Sequence, residues 1–189
     1  MYSLDDCQIL TQTAEEPIVA EKLYKAALVG DVKVGLGSLM FRILFDEPKG
    51  SIGMDFCTIP FKLGVKIIKV QFWRGSLEFR ADSKLPGSFF KGLRAVVLVY
   101  DITKKSTFDK LEGLIATAKE EGITKFFLLG NMKDEEANRE VSITEANEYV
   151  MKHEISYFAE VSAKTGEELK KAFLTIANNI VSSDDTGEE

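Results

Sequence analysis

The stretch that decides the fold runs Tyr24-Lys25-Ala26-Ala27-Leu28-Val29-Gly30-Asp31-Val32-Lys33-Val34-Gly35-Leu36-Gly37-Ser38. A short apolar run over Tyr24 to Val29 has the composition of a buried strand. Glycines at 30, 35 and 37 punctuate the turn, and Leu39 and Ile43 then recur at helical spacing over 35–45, ended by Pro48, Lys49 and Gly50. A strand that turns directly into a helix directs backbone N–H groups and the positive end of the helix dipole at one point, which favours an anion there.

Outward from this turn, short aliphatic runs alternate with segments of helical period, the pattern of a largely parallel sheet with helices on its faces. Strands are expected at 54–63 and 65–73, joined by a tight turn at Gly64, and at 95–100, 126–129 and 157–161. Helices are expected at 106–121, 143–153 and 167–180. Ser106 and Ser142 are the candidate caps, the latter with Glu145 three residues on. Residues 74–92 read as irregular, 1–22 as a flexible extension and 182–189 as a disordered acidic tail.

The turn resembles the GxxxxGK[ST] loop of P-loop NTPases, with Gly30 and Gly35 at the right separation. Leu36 stands in place of the lysine that reaches the β- and γ-phosphates, and Gly37 in place of the hydroxyl residue that ligates Mg²⁺. Ser38 and Lys33 are the only nearby substitutes. Ser38 is rotated by about 100° on a helix, and Lys33 lies at the loop rim.

Other segments carry a wider resemblance to the Rab group of Ras-superfamily small GTPases, over 23–181. Ser51-Ile52-Gly53-Met54-Asp55-Phe56 is similar to the Rab segment Thr-Ile-Gly-Val-Asp-Phe, after a loop several residues shorter than in typical Rabs. Trp73 matches the tryptophan before Asp-x-x-Gly-Gln. That alignment puts Arg74 at the metal-linked aspartate, Leu77 at the γ-phosphate-sensing glycine and Glu78 at the water-orienting glutamine. A one-residue shift changes the roles of Gly75 and Ser76 without restoring the motif. Leu98-Val99-Tyr100-Asp101-Ile102-Thr103 resembles a Rab framework strand.

The base-binding boxes are better kept. Asn131-Met132-Lys133-Asp134 resembles Asn-Lys-x-Asp, and Ser162-Ala163-Lys164 matches the Ser-Ala-Lys box. The resemblance implies a Ras-like fold of six mostly parallel strands, one of them antiparallel, with about five helices. It implies a nucleotide site formed by Gly30, Lys33, Val34, Gly35, Leu36, Gly37, Ser38, Asn131, Met132, Asp134, Ser162, Ala163 and Lys164. In that site the Asp134 carboxylate accepts from guanine N1 and its exocyclic amine. GDP or GTP is the implied ligand, Mg²⁺ is in doubt with Ser51 its one weak candidate, and no catalytic residue is assigned. Three readings stay open: a regulatory module in membrane traffic with impaired hydrolysis, a slow GTPase using non-standard residues, and a nucleotide-free scaffold.

Ile52, Phe56, Phe72 and Trp73 mark the expected partner surface, where Rab effectors dock. Arg74 reads either as a built-in cation toward phosphate or as a surface ion-pair member. Asp31 and Asp55 read as solvated carboxylates, and His153 as a helix-end residue. With 189 residues, 45% hydrophobic and 29% charged, the composition is that of one globular domain. A net charge of −6 and no basic stripe exclude nucleic acid as the expected partner. Cys7 and Cys57 read as reduced thiols of a cytoplasmic protein. The sequence shows no lipidation motif, so no direct lipid anchor is expected and a partner would bring the protein to membranes.

Overall fold

The computed structural model describes residues 1–10, 18–47, 50, 53, 55–77 and 85–182. Its strands are β1 (Cys7–Ile9), β2 (Lys22–Asp31), β3 (Phe56–Leu63), β4 (Lys66–Leu77), β5 (Ala95–Asp101), β6 (Phe126–Asn131) and β7 (Tyr157–Glu160). They form one sheet in the order β1-β3-β4-β2-β5-β6-β7. Strand β3 runs antiparallel to both β1 and β4, and the other neighbours are parallel.

The helices are α1 (Leu36–Phe45), α2 (Gly87–Phe90), α3 (Lys105–Asp109), α4 (Leu111–Glu120), α5 (Ile143–His153) and α6 (Leu169–Ser182). The class is as expected, a mostly parallel sheet with helices on both faces. The counts are corrected: seven strands rather than six, and six helices rather than five, among the described residues.

Alternation along the strands divides the core into two layers. In β5, Ala95, Val97 and Val99 face the cluster that holds Leu39 and Ile43 of α1 and Phe173 and Ile176 of α6. Val96, Leu98 and Tyr100 face the cluster of Phe108, Leu111, Ile115 and Tyr149. Every residue of β5 is buried, which is why its sequence is aliphatic up to Tyr100 and Asp101.

The seventh strand lies in the segment expected to be a flexible end. Three residues carry too little pattern to read, and tertiary ties place them. Asn178 of α6, 2% exposed, accepts from the Tyr2 N–H at 3.0 Å and donates to the Tyr2 carbonyl at 2.7 Å. Residues Cys7 to Ile9 then pair with Leu63 to Phe61.

The stretch 74–92, expected to be irregular, contains the last four residues of β4 and all of α2. Gly75 makes the strand extension feasible, because a Cβ there would lie 2.9 Å from Val29 and 2.8 Å from Phe89. The single helix expected at 106–121 is two, α3 and α4, meeting at Lys110. Ser106 is not a cap, since α3 starts at Lys105.

Candidate nucleotide site

Residues from three βα junctions meet at the carboxyl end of the parallel strands, where β2 leads to α1, β6 leads to a 3-10 turn at Lys133–Asn138, and β7 leads toward α6. This is the edge at which open α/β sheets bind ligands. Asn131 ties the three together. It is fully buried, its Nδ2 donates to the Val34 carbonyl at 2.9 Å, and its Oδ1 accepts from the Ala163 N–H at 3.1 Å. Gly35, the N-cap of α1, has φ +83°, and a Cβ on it would lie 2.8 Å from Asn131 Nδ2. Both the left-handed backbone and the close approach call for glycine.

Asp134 is held above these loops. Its Oδ1 accepts from Ser162 Oγ at 2.6 Å, and that hydroxyl oxygen accepts in turn from the Thr165 N–H at 3.0 Å. Its Oδ2 is buried and forms an ion pair with Lys164 Nζ at 3.1 Å. Burial alone would push the Asp134 carboxyl up, but the Ser162 hydroxyl and the Lys164 ammonium more than offset it, so it titrates below the usual carboxylate range. Met132 packs against the second core layer and approaches Gly35.

The phosphate-loop side differs in character. Val34 is fully buried, Leu36 is 2% exposed in the first core layer, and Gly37 is buried. The hydrocarbon at 36 therefore faces the core rather than the loop's concave side. Asp31, expected to be solvated, is 8% exposed and forms a short ion pair with Lys110. Burial raises its carboxyl and Lys110, with the Lys33 N–H, more than offsets that, leaving it below the usual range.

Strand β4 runs alongside this loop in parallel register from Lys22↔Ile68 to Asp31↔Leu77. Its Leu77 carbonyl accepts from the Val32 N–H at 3.1 Å. Arg74 Nη2 donates to the Gly53 carbonyl at 3.3 Å.

A model of the Ras family matches residues 25–182. The chain belongs to the Ras family. Among its relatives, Ras-related protein Rab-4A of Rattus norvegicus is 31% identical over 175 residues, covering 88% of this chain and 78% of that protein. Ras-related protein Rab-4B of Homo sapiens is 31% identical over 174 residues, covering 88% and 80%. The protein is thus a Rab-like small GTPase by family.

The two halves of this Rab-like site differ in how they fit the family's ligand. A guanine ring offers two adjacent N–H donors, and Asp134 offers a carboxylate held below the usual titration range by Ser162 and Lys164, so the base end fits in chemical type. Mg²⁺ asks for hard oxygen ligands. Leu36 and Gly37 supply none, Arg74 brings a cation, and Asp31 is engaged by Lys110. Among the described residues no group of three or more His, Cys, Asp or Glu could hold a metal. The described half of the loop does not fit a magnesium ion. Ser51, Ile52 and Glu78 lie outside the described residues.

The expected partner surface needs one correction. Phe72 is fully buried and packs 5.1 Å from Phe173, because its position in β4 points inward. Phe56 and Trp73 oppose each other across β3 and β4 on the outer face, with ring centroids 4.8 Å apart, and Phe56 is 41% exposed. Sequence reasoning missed Lys110 altogether. Its partner is 79 residues away in the chain, and no local signal marks such a pair.

Proposed function

We propose that the protein is a regulatory Rab-like module that holds guanine nucleotide by its base and acts through protein partners in membrane traffic, with GTP hydrolysis impaired or absent. The observation that carries the reading is Asp134, oriented by Ser162 and kept ionised, with Lys164 the one cation on its second oxygen among the described residues. Its neighbour Asn131 locks the base loop to the phosphate loop, so the base end is organised before any ligand arrives.

Impaired hydrolysis is supported by what occupies the other end. Water activation in this family needs a positioned polar side chain and a metal-neutralised phosphate. Here Leu36 lies in the core, and Arg74 and Leu77 stand in a strand rather than in a loop free to rearrange. The pair of exposed Phe56 and half-buried Trp73 is the proposed docking point for an effector-like protein. The proposal places the protein in the cytoplasm, reaching membranes through such a partner.

A nucleotide-free scaffold is the second reading, favoured by one observation: Lys164 already supplies Asp134 with a cation 3.1 Å away. Denaturing the purified protein and chromatographing what it releases separates the two. Released GDP or GTP supports the nucleotide-binding module, and none, even after soaking at high concentration, supports the scaffold. Turnover of GTP above a denatured control would sink both, in favour of a slow GTPase that uses Lys33, Ser51 and Glu78.

A further inference from the structure

Strand β3 would be the edge of the sheet if β1 did not lie beside it. An open edge presents N–H and C=O groups that pair with any extended chain of fitting pattern. Here residues 2–10 take them. The Gly64 N–H donates to the Asp6 carbonyl at 3.0 Å, and the Leu10 N–H to the Pro60 carbonyl at 2.9 Å. Between these, Gln8 faces Lys62, and the alternation of an antiparallel ladder makes that the pair which exchanges two bonds. Pro60 has no N–H to return to Leu10, so the ladder ends there and β1 stops at Ile9.

The edge reads more than backbone. Cys7 is buried in the first core layer, Ile9 packs against that layer and Gln8 is exposed, so the ladder asks for the order apolar, polar, apolar. Asn178 of α6 spends its side-chain amide on the Tyr2 main chain, as donor and as acceptor. Gly64, at φ +58°, lets the Tyr2 ring lie on it, since a Cβ there would come within 2.7 Å of that ring. The hold is nevertheless light. Between the Asn178 clamp and the ladder, Ser3, Leu4, Asp5 and Asp6 are all exposed, and of the three β1 residues only Cys7 is buried.

We propose that the β3 edge and Asn178 together form a docking site for an extended peptide, filled here by residues 2–10 of the same chain, and that these residues are a releasable strap which keeps other strands off the edge. The partner that fits is a strand with a small apolar side chain at the Cys7 position and an apolar one at the Ile9 position, and it gains the site only by displacing the strap. A segment held by one buried side chain opens at lower cost than the core around it. Covalent attachment gives the strap a high effective concentration, which sets the level a competitor must exceed. The site lies at the opposite end of β3 from Phe56, so it is separate from the docking point proposed above.

The test titrates the full chain into a fluorescent synthetic peptide of residues 1–10 and reads anisotropy. Gln8→Pro takes a donor out of the strap's own ladder. The full chain with that substitution is expected to bind the peptide at least about tenfold more tightly than the unaltered chain does. Adding Asn178→Leu to Gln8→Pro is expected to weaken peptide binding by about tenfold, and an unchanged affinity there overturns the proposal as stated. Equal binding by the unaltered and Gln8→Pro chains, or binding by neither, also overturns it. A dimer of the unaltered chain that Gln8→Pro abolishes would put the strand in a second copy, and so overturn occupancy within one chain. Should the variant not fold, amide exchange on the unaltered protein decides. The Lys62 and Gly64 amides, which face β1, are expected to be at least about tenfold less protected than those of Val70 and Phe72 in β4. Equal protection would mean that β1 opens only with the whole fold, and overturns the proposal.

Discussion

Single residues at the site act chiefly as braces. Asn131 satisfies two backbone groups in a volume closed to water, so its removal leaves the Val34 carbonyl and the Ala163 N–H without partners. Each orphaned buried group costs about 1–3 kcal/mol, and Asn131→Ala is expected to lower unfolding stability by about 2–4 kcal/mol. Urea denaturation checks this, and a loss under about 0.5 kcal/mol would show that the loops do not depend on it. Cys57 gives a second residue-scale expectation. Burial pushes its thiol up to about 12, so almost no thiolate exists at neutral pH. Its modification by a thiol reagent should be slow in the native protein and fast in urea, and equal rates in the two would contradict the burial.

At the scale of elements, helix α5 shows what a local signal can specify. Ser142 and Glu145 form a complete capping box, and the expected bounds at 143 and 153 are those observed. Ser142→Ala is expected to cost about 1 kcal/mol, read as a shift in the urea midpoint with an unchanged slope. The neighbouring prediction of one helix at 106–121 fails for a tertiary reason. Thr107 accepts from the Asp101 N–H at 3.0 Å and donates to the Lys104 carbonyl at 2.7 Å, which pins α3 to the end of β5 and lets α4 start anew after Lys110. Helix α6 depends instead on burial. Phe173 is fully enclosed and packs edge-on against Phe72, so Phe173→Ala is expected to cost about 3–5 kcal/mol. A loss below about 1 kcal/mol would mean that α6 is not part of the core that holds β1 and β4.

At the scale of the whole molecule, the carboxylates set an acid limit. Asp31, Glu112, Asp134 and Glu145 all titrate below their ordinary values. For Glu145 the Lys105 ammonium comes first and the Ser142 backbone second, bringing it down to about 2. A group whose folded value is depressed contributes stability that is present above its unfolded value and lost as pH falls through the folded one. The reference values are 3.8 for Asp and 4.5 for Glu, so stability should be flat from pH 7 to about 5 and fall between about 4.5 and 2. Most of these pairs are partly exposed, so solvent screening keeps each contribution small. Urea midpoints at pH 7, 5 and 3 test this; equal midpoints at pH 5 and 3 would refute it.

The sequence by itself determined the strand-to-helix turn at Gly30 to Gly35, the alternation of strands with helices along the chain and the bounds of α5. All of these depend on local period, capping or contiguous spacing, which a linear chain displays directly. Tertiary structure alone decided that residues 7–9 become a strand, that β4 continues to Leu77, that Phe72 faces inward and that Lys110 closes on Asp31. Each of those depends on a partner distant in sequence: Asn178 for the first strand, the β2 ladder for the extension, Phe173 for the buried ring, and a helix joint for the ion pair. Their free energy comes from contacts that exist only once the chain has closed on itself.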